Sequence, residues 1–325
     1  MRIAVIADGS NSLGMGHVSQ AITLSERLQE KCGNQAELTF LTRSDEKVEA
    51  IFRATRKRVL RCENDAAVYA ALLNMRPDRV IIDHLNVDPE LARKISQDLR
   101  TKLIILTNLS EANRYADVTV MAGMGSGLKN IRKCGDAGQV QLWGPKYWLI
   151  RPEFFLYEKK PILDIHNLML IFGGSDPANL TAKVLSKLSK IQKGFHIVAV
   201  LGASYGGRAD LEHVLCEATG SPSHVTLFQN SNSIAELMHG SDLVFTSPGL
   251  SFFEALAVGT PVICFHQNKF QQEAWANVIV THAAYEVPLV DHLIASRSFI
   301  YPNDTQIEEM KIGQGVDELL EEILS

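Results

Sequence analysis

Residues 167–181 read Asn-Leu-Met-Leu-Ile-Phe-Gly-Gly-Ser-Asp-Pro-Ala-Asn-Leu-Thr. The run 168–172 is apolar throughout and has strand length, which suits a strand covered on both faces. Gly173 and Gly174 break it. Ser175 or Asp176 then offers a helix cap and Pro177 a first-turn residue, so a helix is expected from about Ala178. Strand, glycine turn and helix in succession form the unit of an open parallel sheet with helices on both faces.

The same unit recurs on either side. Upstream, residues 2–7, 38–42, 79–83, 103–107 and 118–121 read as strands. Helical spacing covers about 17–31, 45–52, 66–73 and 88–99. Val18, Ala21, Ile22 and Leu28 share one face of the first helix, and Asp88-Pro89-Glu90 opens the last with a cap and a proline. Downstream, strands are expected at 196–201, 224–228, 242–246 and 261–265. Helices are expected at 209–218, 233–238, 251–258 and 270–280. The halves are joined by residues 144–163, which hold Pro145, Pro152 and Pro161. The chain therefore reads as α/β, with Rossmann-like domains over residues 1–150 and 160–305. The acidic, helical segment 306–325 is expected to pack back on the first domain.

At 325 residues the chain is long enough for two cores. Its 32 Lys and Arg stand against 37 Asp and Glu, a net charge of −5, which argues against nucleic-acid coating as the main function. One small anionic ligand is still compatible with that balance, because a pocket can be locally positive. The five cysteines Cys32, Cys62, Cys134, Cys216 and Cys264 contain no CxxC, which suits reduced thiols in the cytoplasm and gives no zinc site. The apolar start MRIAVIAD stops at Asp8, too early for a signal peptide, and no run approaches the roughly 20 residues of a membrane helix. A cytoplasmic protein without integral membrane association is expected.

In open parallel sheets, ligands bind beyond the carboxyl ends of the strands. Five segments lie there. Gly14-Met15-Gly16-His17 brings a histidine to a helix start. The helix dipole there disfavours imidazolium, so the residue reads as a neutral ring suited to general-base work, or simply as an ordinary, partly exposed histidine where a glycine loop enters a helix. Its glycines do not match GxGxxG and no Walker lysine follows. Asp83-His84 ends a strand, where the carboxylate can orient an imidazole, contact a sugar hydroxyl, or simply form a turn. In the connection, Arg151 can clamp an oxyanion and Glu153 can accept hydroxyl hydrogen bonds, or the two can form a local ion pair. Gly174 and Ser175 place backbone amides near a helix start. Ser247-Pro248-Gly249-Leu250-Ser251 does the same before Glu254. Ser251 and Glu254 also fit the S-x-x-E capping box. Phe253 stands where a hydrolase nucleophile elbow needs glycine.

The order of these segments, GMGH, RPEF, GGSDPANLT and SPGLSFFEALAVGTPV, resembles the bacterial nucleotide-sugar hydrolases of the pseudaminic acid pathway. It is also similar to the spore-coat polysaccharide biosynthesis proteins. Both resemble the wider GT-B glycosyltransferase-like group, with two facing Rossmann-like domains. The resemblance covers most of the chain, and GGSDP-x-NLT and RPEF are its most specific parts. It implies that His17 is the catalytic residue in the sugar-facing domain and that the second domain holds UDP. Gly249, Leu250 and Ser251 would lie near the diphosphate and Glu254 near the ribose. Phe228 and the loop after it would contact the base, and Asn268 and Gln272 the sugar or phosphates. Gln20, Thr107-Asn108 and Leu85 depart from the family pattern, which often has arginine, paired aspartates and an aromatic there. The resemblance thus implies hydrolysis of a UDP-linked amino or deoxy sugar for surface-glycan or sialic-acid-like sugar synthesis, with no cofactor and no metal. The alternatives are transfer of the sugar to an acceptor hydroxyl and a catalytically silent binding protein.

Overall fold

The computed structural model describes residues 1–10, 14–123, 129–136, 138–158, 164–191, 194–218, 220–229, 231–275, 282–283, 290–297, 299–302 and 305–325. They form two compact units, Met1–Leu149 with Met310–Ser325, and Ile150–Glu309.

The first unit is built on strands β1 (Arg2–Ala7), β2 (Glu37–Thr42), β3 (Arg58–Arg61), β4 (Arg79–Asp83), β5 (Lys102–Leu106), β6 (Val118–Met121), β7 (Ile131–Cys134) and β8 (Val140–Trp143). Helices α1 (Gly16–Cys32), α2 (Glu46–Ala54), α3 (Asp65–Met75) and α4 (Pro89–Asp98) connect them. The sheet order is β3-β2-β1-β4-β5-β6-β8-β7. All neighbours are parallel except β7 and β8. The apolar runs of β1, β4 and β5 lie in the middle, with Ile3, Val5, Ile81 and Ile104 fully covered. Strands β3, β7 and β8 are absent from the sequence reading. They sit at or near the sheet edges, and no continuous apolar run marks them: β3 and β7 carry charged residues, as in Arg58-Val59-Leu60-Arg61, and β8 alternates buried Val140 and Leu142 with half-buried Gln141 and Trp143.

The second unit holds β9 (Asn167–Ile171), β10 (His196–Leu201), β11 (His224–Gln229), β12 (Leu243–Thr246), β13 (Val262–His266) and β14 (His282–Ala283). Its helices are α5 (Leu180–Leu188), α6 (Arg208–Glu217), α7 (Ile234–Gly240), α8 (Leu250–Val258), α9 (Lys269–Trp275), α10 (Val290–Ala295) and α11 (Thr305–Glu309). The order β11-β10-β9-β12-β13-β14 is parallel throughout. Residues 276–280 of the helix expected at 270–280 lie outside the described residues.

Both sheets thus share the doubly wound order in which the chain reverses direction beside the first strand. Between β1 and β4, and again between β9 and β12, the two flanking connections leave in opposite directions and open a crevice at the carboxyl ends. The C-terminal segment divides. α11 belongs to the second unit, and α12 (Val316–Leu324) to the first. Leu319, Leu320 and Ile323 of α12 are buried. Polar contacts anchor it: Gly315 N–H donates to Lys146 O at 2.7 Å, Lys146 Nζ pairs with Glu318 at 2.7 Å, and Arg79 Nε donates to Ile323 O at 2.7 Å. Leu320→Ala is expected to lower unfolding free energy by about 2–5 kcal/mol, because deletion of buried methyls leaves a cavity. Urea denaturation checks it; a loss below about 1 kcal/mol would show that α12 is not part of that core.

Candidate functional site

In the first unit, β1 and β4 end side by side, with Ala7 in register with Asp83. α1 begins at Gly16, so His17 lies in its first turn, after Gly14, which is bridged to Ser10 by two backbone hydrogen bonds. His17 Nδ1 stands 2.8 Å from Asp83 Oδ1. The carboxylate accepts the Nδ1 proton, which leaves the Nε2 lone pair free as a base. Asp83 is almost fully buried, and its second oxygen, Oδ2, has no partner among the described residues. The ring of His84 stacks on that of His17 at 6.0 Å between centroids.

The expectation of a ring held neutral by the helix dipole is corrected here. Burial pushes the His17 pKa down, but the charge and hydrogen bond of Asp83, with the charge of Asp8, outweigh it, so the net shift is upward. A carboxylate in direct contact acts more strongly than the partial charge of a helix end.

Asp8 and Arg43 were not singled out from the sequence. Asp8 is buried and accepts from the Arg43 backbone N–H at 2.6 Å, Arg43 Nε at 2.8 Å and Thr42 Oγ1 at 3.1 Å. Arg43 also pairs with Asp65. Burial would raise the Asp8 carboxyl, but the guanidinium holds it below the ordinary carboxylate range. Both residues directly follow a strand, the same signal that drew attention to Asp83. Of the family departures, Gln20 is buried on α1. Thr107, expected at the end of a strand, lies just beyond β5 with φ 56°, a conformation β-branched residues rarely adopt. Asn108 is occupied structurally: its Oδ1 accepts from Val87 N at 2.8 Å and its Nδ2 donates to Asn113 Oδ1 at 2.9 Å.

In the second unit, the turn after β9 carries Gly174 and Ser175. A Cβ on Gly202 would lie 2.4 Å from Gly174 Cα, so the two backbones touch and glycine is required there. The helix after this turn starts at Leu180, not near Ala178. Asp176 explains the delay. It turns with φ 45°, and its carboxylate reaches forward to Leu180 N at 2.9 Å and Thr181 N at 2.8 Å. Pro177 lies in that turn, before the helix. The first amides of α5 are therefore already taken by an acid.

The turn after β12 differs. α8 begins at Leu250 with Gly249 as its cap, at φ 146°, a value that favours glycine. Among the described residues no side chain caps it, and its first turn holds no acid. Its first amides stay open and its end keeps a positive field. Ser247 is 8% exposed, yet its hydroxyl has no partner among the described residues. The expected capping box does not form, because Ser251 already lies inside the helix. Glu254 points elsewhere: it is buried, 3.6 Å from Arg151 Nη2. Arg151 also pairs with Glu153 at 3.0 Å and stacks on Phe154 at 4.9 Å. Burial pushes the Glu254 carboxyl up to about 7; Arg151 offsets part of this and Glu153 adds to it.

The remaining sequence candidates lie along the same carboxyl edge. Phe228 is partly exposed near the end of the edge strand β11; position 230 in its loop lies outside the described residues. Asn268 precedes α9 and accepts from Gln271 N at 2.9 Å, while Gln272 is exposed on that helix. Gln267 and Gln271, which the sequence reading passed over, carry more bonds than either. Among the described residues no group of three or more His, Cys, Asp or Glu is arranged to hold a metal, and no helix is long and apolar enough to cross a membrane.

Residues 168–296 match the family model of the glycosyltransferase family 28 C-terminal domain. The chain is 35% identical over 331 residues to the uncharacterized protein MJ1062 of Methanocaldococcus jannaschii, covering 99% of this chain and 66% of that protein, so it spans about two thirds of that relative. It is 24% identical over 309 residues to the spore coat polysaccharide biosynthesis protein SpsG of Bacillus subtilis, covering 93% of this chain and 87% of SpsG. Among solved structures, a UDP-glucosyltransferase from Polygonum tinctorium superposes with a TM-score of 0.63 at 11% identity, covering 100% of this chain and 98% of that one. Anabaena HepE in complex with UDP-glucose gives 0.59 at 13% identity, covering 99% and 95%. The fold is that of the GT-B glycosyltransferase-like group.

Proposed function

We propose that this protein is an enzyme acting on a UDP-linked sugar, in which the second unit binds the nucleotide and the first supplies the base. The observation that carries this reading is the His17–Asp83 pair at the carboxyl-edge switch point of its sheet, where a doubly wound fold binds ligands. The uncapped start of α8 offers open amides to a diphosphate. Glu254 lies one turn further on, beside Arg151, and on this reading it accepts ribose hydroxyls.

The reaction favoured is glycosyl transfer. His17 Nε2 takes the proton of an acceptor hydroxyl as that oxygen bonds to the anomeric carbon. The bond from that carbon to the diphosphate oxygen breaks, and UDP leaves with the electron pair. Attack opposite the leaving group inverts the centre. The family 28 match over residues 168–296 supports transfer. The RPEF and GGSDPANLT segments support the second reading, in which water is the nucleophile. A UDP-sugar panel decides between them. Transfer predicts UDP release that rises at least tenfold when a hydroxyl acceptor is supplied. Stoichiometric UDP and free sugar without acceptor would favour hydrolysis. UDP binding with no turnover on any sugar would remove both.

A further inference from the structure

The two turns that flank the second unit's switch point come from neighbouring strands, but the pairing of β9 with β12 ends at Ile171 and Thr246, before the turns themselves. Two glutamines bridge that gap. Gln267 directly follows β13, one strand beyond β12, and its side-chain amide reaches across to the turn after β9. Its Oε1 accepts from Ala178 N at 3.0 Å. Its Nε2 donates to Phe172 O at 3.2 Å and to Asp176 Oδ1 at 3.1 Å. The backbone N–H of Gln267 donates in turn to Gln271 Oε1 at 2.7 Å, and Gln271 Nε2 donates to Pro248 O at 3.3 Å, in the turn after β12.

The chemistry of this link is specific. Gln267 uses its acceptor and both of its donor hydrogens, so only a primary amide of that length satisfies all three partners. Glutamate would supply no donor and would set a second carboxylate against Asp176. Leucine would leave Ala178 N and Phe172 O unpaired. The partners also matter. Asp176 is the carboxylate that occupies the start of α5, so Gln267 ties that acid to the far turn. Pro248 immediately precedes Gly249, the cap of α8, so Gln271 ties the open helix start into the same chain.

We infer that Gln267 and Gln271 are positioning residues that set the separation of the turns at 173–175 and 247–249, and thereby aim the open amides of α8 at a nucleoside diphosphate. The inference rests on the nucleotide reading above. It assigns neither residue a contact with the base or ribose, and this gives it a distinctive consequence: losing the link weakens recognition of phosphates and spares recognition of the nucleoside.

The test compares affinities for UDP and uridine, by calorimetry for the first and NMR titration for the second, in the wild type and in Gln267→Leu and Gln271→Met. Leaving UDP without its sugar keeps any sugar contact of these residues out of the measurement. Gln267→Leu is expected to weaken UDP by about tenfold or more, the size of effect for unpaired buried polar groups, with uridine changed less than about twofold. Gln271→Met, which breaks fewer bonds, should change the UDP-to-uridine ratio in the same direction and by less. It carries the test if Gln267→Leu does not fold. An unchanged ratio in folded variants, or equal weakening of both ligands, overturns the positioning role while leaving the nucleotide reading intact. Failure of the wild type to bind UDP overturns that reading, and this inference with it.

Discussion

His17→Ala is expected to lower turnover by about 10²–10⁴-fold, the range for loss of general-base help, and to leave UDP affinity within about twofold. The separation follows from the proposed division of labour: His17, the proposed base, lies in the first unit and the open helix start in the second. Asp83→Asn tests the pair itself. The pKa of His17 is raised, and the base form accumulates only above it, so the acid limb of the rate profile lies above the ordinary imidazole value of 6.5. Replacing Asp83 removes the main group that raises it and leaves burial, which lowers it, opposed only by the smaller charge effect of Asp8. The limb should therefore move to lower pH in Asp83→Asn while the maximal rate falls, because the amide no longer holds the imidazole in its basic tautomer. Rates measured from pH 5 to 9 with a UDP-sugar decide the matter. A limb that stays in place would separate Asp83 from His17 in function, and undiminished turnover in His17→Ala would remove the histidine from its role.

How much of this was legible beforehand depends on how local each signal is. The runs at 168–172 and 196–201 are apolar throughout, and a glycine turn after a strand needs only neighbouring residues to recognise it. Strands β3 and β7 escaped because edge strands carry charge. The two helix starts of the second unit were misplaced for a subtler reason. Asp176 and Ser251 both look like caps, but capping depends on where the chain turns. A carboxylate that reaches Leu180 and Thr181 from a left-handed turn pushes the start of α5 later, and a glycine at φ 146° brings the start of α8 to Leu250. His17–Asp83, Arg43–Asp8 and Gln267–Asp176 each join residues from different strand connections. Position after a strand marks each as a candidate; only the sheet order says which partner it meets. That is why Asp83 was anticipated in one of several roles, and Asp8 and Gln267 in none.

The largest pH-dependent effect on stability is expected at Glu254. Its carboxyl is raised from 4.5 to about 7, chiefly by burial, so between those values the folded protein binds a proton that the unfolded chain has released. Folding stability from this group is therefore greatest at low pH and falls as pH rises through about 7, because above it a charge is held in a buried site. The difference between 4.5 and about 7 corresponds to about 3 kcal/mol at most. Glu254→Gln, which cannot ionise, is expected to be more stable than the wild type at pH 8 by up to that amount and to match it near pH 4, below the unfolded value. Denaturation of both proteins at the two pH values isolates the effect, since every other titrating group cancels in the comparison. If Glu254 accepts ribose hydroxyls, the same variant weakens UDP by about tenfold to a hundredfold, because hydrogen bonds to a charged acceptor are the stronger kind. Arg151 gives this arrangement its purpose. The guanidinium at 3.6 Å opposes the upward shift, and Glu153 at 3.0 Å and the Phe154 ring hold it there. Arg151→Met should consequently raise the Glu254 pKa further and make UDP affinity fall below wild type most steeply near neutral pH. A stability difference between Glu254→Gln and wild type that is flat from pH 4 to 8 would mean that Glu254 gives up no proton on unfolding, and the buried-carboxylate account of this site would fail.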